Sequence, residues 1–97
     1  ASILPVCAAP NMAWFCPAAT TALTATTTGS GGSPAATIPF QIGNAVALFG
    51  TGNNVFAELG GPGPAFDWGL PFFLGRHVFV GIAGKVSGLG TGPYWAY

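Results

Sequence analysis

The chain has 97 residues, enough for one domain with a thin core. Apolar residues make up 51% of it and charged residues only 4%, for a formal net charge of zero. The charged side chains are Glu58, Asp67, Arg76 and Lys85, and two cations cannot neutralise a run of phosphates, so nucleic-acid binding is excluded as a main activity.

Residues 1–20 carry Pro5, Pro10 and Pro17, which disfavour helix, and Cys7 and Cys16, nine positions apart. No His or carboxylate accompanies the two cysteines, so the expectation is a local disulfide formed in an oxidising compartment rather than a metal site. Trp14 gives this disulfide loop an apolar anchor. The threonine-rich run 20–28, TTALTATTT, fits a strand by β-propensity. Residues 29–36, beginning GSGGSPA, read as a flexible connector.

The main strands are expected in 37–97. TIPFQIG (37–43) alternates, with Ile38, Phe40 and Ile42 on one face, and Pro39 places it at a sheet edge or strand start. Asn44 is positioned to cap a short helix over 45–49 stopped by Gly50. A second short helix is expected from Asn53 or Asn54 through Leu59, followed by a GGPGPA loop. FDWGLPFFL (66–74) reads as a strand leading to a turn at Gly75 and Arg76. HVFVGIA (77–83) alternates most cleanly, Val78, Val80 and Ile82 facing one way and His77, Phe79 and Gly81 the other. Residues 85–92 form a glycine-rich turn, and PYWAY (93–97) a final aromatic strand.

A membrane span is not expected. The most apolar stretch, 66–84, is interrupted by Asp67, Gly69, Pro71, Gly75, Arg76, His77 and Gly81, whereas a spanning helix needs about 20 largely continuous apolar residues. The chain begins at Ala1 with no visible signal peptide, which points to trimming or to cleavage of a precursor.

The blocks FDWGLPFFLGRHVFVGIAG (66–84) and GPYWAY (92–97) carry a resemblance. With the WFCPA context of Cys16, IPFQIGNA, and ALF…GNNVFAELGG, they make nearly the whole chain similar to the C-terminal part of a family of secreted, uncharacterised proteobacterial proteins common in Burkholderia-like bacteria. Members of that family resemble pepsin-like aspartic proteases with two Asp-Ser/Thr-Gly motifs. The resemblance implies an incomplete pepsin-like half-lobe, mainly β with one or two short helices. It also implies that the second catalytic aspartate lies just upstream of Ala1. Neither motif is present here, so no catalytic residue is carried over.

The residues themselves also lack a complete active site. An aspartic protease needs two carboxylates sharing a proton, and Asp67, the single Asp, is followed by Trp-Gly rather than Ser/Thr-Gly. Asp67 is expected to cap backbone donors or to pair with Arg76, and Glu58 to be solvated. His77, the single His, is expected at a strand start, bonded to backbone. None of Ser2, Ser30, Ser33 and Ser87 lies in a Gly-x-Ser-x-Gly turn. The GTG (50–52) and GLGTG (88–92) stretches are turns, because no helix follows the second. No cofactor or metal site is expected.

A thin domain struggles to bury three Trp and eight Phe. Trp14, Trp68, Phe79, Tyr94, Trp95 and Tyr97 are therefore the candidate interface anchors. The expected function is a non-enzymatic, secreted structural subunit. Its partners are copies of itself, in an extracellular fibre or β assembly whose sheets neighbouring chains complete. Alternatives are a cleaved piece of an aspartic-protease-like protein that acts only beside the upstream part of its precursor, and an aromatic glycan-binding surface.

Overall fold

The alternation in the first half of the chain folds as an antiparallel hairpin. In the computed structural model, which describes residues 4–97, β1 (Thr21–Thr28) pairs along its whole length with β2 (Ala35–Ile42). Threonines stiff at χ1 favour the extended backbone, and the pleat sends Leu23 and Ala25 to the same face as Phe40 and Ile38 opposite them. Ile38 and Ile42 are buried there, and Phe40 is half-buried.

The expected connector over 29–36 is shorter than its composition implies, because Ala35 and Ala36 belong to β2. The remaining residues form a closed loop in which the Gly29 N–H donates to the Pro34 carbonyl at 2.8 Å and the Gly32 N–H to the Gly29 carbonyl at 2.8 Å. A Cβ on Gly29 would fall 2.5 Å from the Ser33 carbonyl oxygen, so the loop closes on a glycine.

Asn44 starts α1 (Ala45–Phe49) as its position predicts. Its side-chain oxygen accepts from the Ala47 N–H at 3.2 Å, and Gly50 ends the helix. The helix expected over 53–59 does not form; only a turn at 57–58 is present. Its backbone and the residue just after it are used elsewhere: the Glu58 carbonyl accepts from the Gly43 N–H and the Gly60 carbonyl from the Phe15 N–H, both at 2.9 Å. These long-range bonds hold the segment open against the hairpin's base.

The strand expected over 66–74 is likewise corrected. Leu70–Phe73 is a one-turn helix, α2, begun by Gly69 and carrying a proline in its first turn. There the fixed φ of Pro71 suits the helix and its missing N–H has no partner to lose. The alternating 77–83 segment is a strand only over β3 (Phe79–Gly81), which pairs antiparallel with β6 (Tyr94–Ala96). Between them β4 (Val86–Ser87) and β5 (Gly90–Thr91) form a small hairpin within the expected turn. The strand is short because a third element to pair with is missing among the described residues: β3 and β6 make a two-stranded ribbon.

The chain is thus mainly β, with two short helices and three separate two-stranded antiparallel sheets among the described residues. Its core is small, and consists of Cys7, Pro17, Ile38, Ile42, Gly43 and Ala45. No helix among the described residues is long and apolar enough to cross a membrane.

Candidate functional site

Three features of the chain stand out: a disulfide-pinned base, an aromatic groove and an exposed terminal ribbon. The base contributes Trp14 and Phe15 to the groove's wall. Cys7 and Cys16 form a disulfide, with the Cys7 N–H donating to the Trp14 carbonyl at 3.0 Å and the Cys16 N–H to the Pro5 carbonyl at 2.7 Å. Asn44 ties this loop to the hairpin, its Nδ2 donating to the Pro17 carbonyl at 3.1 Å while the Ala45 N–H donates to the Phe15 carbonyl at 3.1 Å. Cys16 Sγ also lies 3.4 Å from Asn44 Oδ1. That is a contact between two acceptors, because a disulfide sulfur carries no proton. Close packing continues at Gly61, where a Cβ would collide with the Ala13 carbonyl oxygen.

Above this base opens a groove of about 1210 Å³ between the hairpin's inner face, the 54–61 segment and the 63–72 segment. Its walls are aromatic. Trp68 lies 4.5 Å from Phe72, 4.9 Å from Phe66 and 5.4 Å from Phe40, ring centre to ring centre. Trp14 and Phe56 also line the groove, and Phe49, outside the lining, meets each of them edge-on at 5.9 Å. Gln41, Asn54, Glu58, Asp67 and Arg76 supply polar atoms to the lining.

Arg76 does not reach Asp67 as expected. Its guanidinium carbon lies 4.7 Å from the centre of the Phe72 ring, a cation–π contact. Asp67 and His77 are both exposed, and His77 precedes β3 without joining it. Among the described residues no group of three or more His, Cys, Asp or Glu side chains is gathered that could hold a metal ion. Of the four serines weighed above, Ser2 lies outside the described residues, and Ser87 bonds Tyr94 Oη and the Gly90 carbonyl rather than any histidine.

The aromatic candidates divide. Trp14, Trp68 and Tyr94 are half-buried by the chain's own contacts. Tyr94 covers Gly81, its partner across the ribbon, where a Cβ would run into the phenol ring. Trp95 is 71% exposed, Phe79 54% and Tyr97 45%, so these three remain free to contact another surface. Tyr97 also packs on Phe72 and bonds the Thr27 hydroxyl, which ties the C-terminal strand to the hairpin. Sequence reasoning missed Phe40 and Phe56 as groove residues. The alternation that marks Phe40 as inward-facing was the available signal for the first; the second sits in a segment whose geometry comes from distant hydrogen bonds.

A family described as protein of unknown function (DUF3443) matches residues 1–97, the full length of the chain. The chain belongs to the DUF3443 family. Neither a curated protein nor a solved structure matches it. The functional reading of this DUF3443 chain therefore rests on its residues and their geometry.

Proposed function

We propose that the chain is a non-enzymatic structural subunit that works by association, chiefly with copies of itself, in an oxidising extracellular setting where its disulfide persists. One observation carries this reading: the chain exposes far more surface than a finished domain of its size. Its accessible surface is 6899 Å², against about 5,100 Å² for a folded monomer of the same mass. Its radius of gyration is 16.4 Å, against about 12.5 Å for a compact domain of this length. Val80, Ile82, Val86, Leu89 and Trp95 are each more than half exposed on the terminal ribbon and its hairpin. Apolar surface of that extent, with almost no charge to keep copies apart, favours burial against a partner. Light scattering coupled to gel filtration tests the reading directly. A mass that rises with concentration supports it, and a constant monomer mass removes it.

A second reading rests on FDWGLPFFLGR and GPYWAY. In it the chain is part of a pepsin-like protein, and the surface that covers its open face belongs to the polypeptide bearing both Asp-Ser/Thr-Gly motifs. Under this reading, native purification from the producing cell recovers the chain with that polypeptide; recovery of the chain alone contradicts it.

A further inference from the structure

We infer that two copies of the chain join through the free edge of β1, in one register, to make a continuous four-stranded antiparallel sheet. The inference deepens the self-association reading and rests on it.

The hairpin's own hydrogen bonds fix which backbone groups are left over. Each pair across β1 and β2 sums to one value, Leu23 with Phe40, Ala25 with Ile38 and Thr27 with Ala36. The Gly29 N–H bonds the Pro34 carbonyl, the next pair but one along the same ladder. Antiparallel ladders alternate between hydrogen-bonded and non-hydrogen-bonded pairs. Thr21, Leu23, Ala25 and Thr27 therefore point their N–H and C=O groups at β2, and Ala22, Thr24, Thr26 and Thr28 point theirs away. Pro39 agrees with this parity. It sits opposite Thr24 in an unbroken ladder, where a proline is tolerated only with its nitrogen on the outer side.

The two edges of the sheet consequently differ. The β2 edge lacks a donor at its centre, because Pro39 has no N–H. The β1 edge presents four donors and four acceptors with no proline, no lysine and no bulge to blunt it. No charged residue occurs anywhere in 1–57. That absence names the occupant. A two-fold interface sets a surface against itself, which repels where the surface carries charge of one sign and does not where it carries none.

Only one register uses all four outward residues of both strands. It places Ala22 opposite Thr28 of the partner subunit and Thr24 opposite Thr26 of the partner subunit. Each such pair exchanges two hydrogen bonds, and the two-fold axis passes beside Ala25. The axis is perpendicular to the sheet, so the half-buried faces of the two hairpins become one continuous face.

Cysteine cross-linking of the full-length, disulfide-intact chain tests this. In Ala25→Cys the two new thiols face each other in a non-hydrogen-bonded pair, and mild oxidation is expected to convert the dimer almost completely to a covalent one. In Ala22→Cys the same thiols lie about 20 Å apart along the strands and are expected to stay reduced. Thr24→Pro removes an outward N–H while leaving the hairpin ladder whole, as Pro39 already does across from it. It is expected to weaken dimerisation about tenfold or more with the amides of β1 facing β2 still protected from exchange. A dimer that cross-links through Val86→Cys but not through Ala25→Cys overturns the β1 interface while self-association stands. A wild-type chain that remains monomeric at every concentration overturns both.

Discussion

Asn44 shows how much of this chain hangs on single polar side chains. It caps α1 through Oδ1 and holds the disulfide loop through Nδ2. Asn44→Ala removes both and is expected to cost about 1–2 kcal/mol in urea unfolding. Asn44→Asp keeps the cap but loses the donor to Pro17, so it is expected to recover part of that loss. If the two variants are equally destabilised, the capping bond contributes nothing. The disulfide itself closes a short loop and constrains the unfolded chain by about 2.7 kcal/mol. Cys7→Ser with Cys16→Ser is expected to lose roughly that amount, measured against wild type without reductant. A loss near zero would mean that the loop's backbone bonds alone define the base.

Elements built on local signals are the ones legible in the sequence. The Ile38-Phe40-Ile42 alternation, the threonine run of β1 and the Asn44/Gly50 caps each specify their own geometry, and each forms where it is expected. The 53–59 segment has a plausible cap, but its Glu58 carbonyl is taken by Gly43 and the carbonyl of Gly60 just after it by Phe15, contacts between positions far apart in the chain that no local pattern announces. In 66–74 the apolar run dominates the reading, yet Gly69 and Pro71 are helix-start residues and decide the outcome. The aromatic groove was legible in part. Phe66, Trp68 and Phe72 stand out by type, whereas their convergence on Phe40 depends on how the loop from 59 to 65 returns to the hairpin.

Burial separates the two halves energetically. Ile38→Ala or Ile42→Ala deletes buried methyl groups and is expected to cost about 2–4 kcal/mol. Val80→Ala on the ribbon removes a side chain that is 59% exposed and is expected to stay within about 0.5 kcal/mol. Thermal or urea unfolding of the three variants, at a concentration where the chain is monomeric, checks the contrast, and equal losses at Val80 and Ile38 would contradict it.

At the scale of the whole molecule, an elongated body of 48 × 30 × 20 Å with three unjoined two-stranded sheets among its described residues leaves much apolar surface exposed. The proposed pairing at β1 is isologous and closes at two copies. Extension into a fibre then requires a second contact, for which the ribbon face around Trp95 is the available surface. Trp95→Ala is accordingly expected to leave the dimer intact and to abolish larger assemblies seen by negative-stain microscopy. Loss of the dimer itself in this variant would place the first contact on the ribbon instead.

The central claim is that the chain completes its exposed surface with copies of itself, and sedimentation velocity over a wide concentration range tests it most directly. The account predicts a species of about twice the 9.7 kDa chain mass or larger that grows at the monomer's expense as concentration rises. A single 9.7 kDa species with a radius of gyration near 16 Å at every concentration would contradict it.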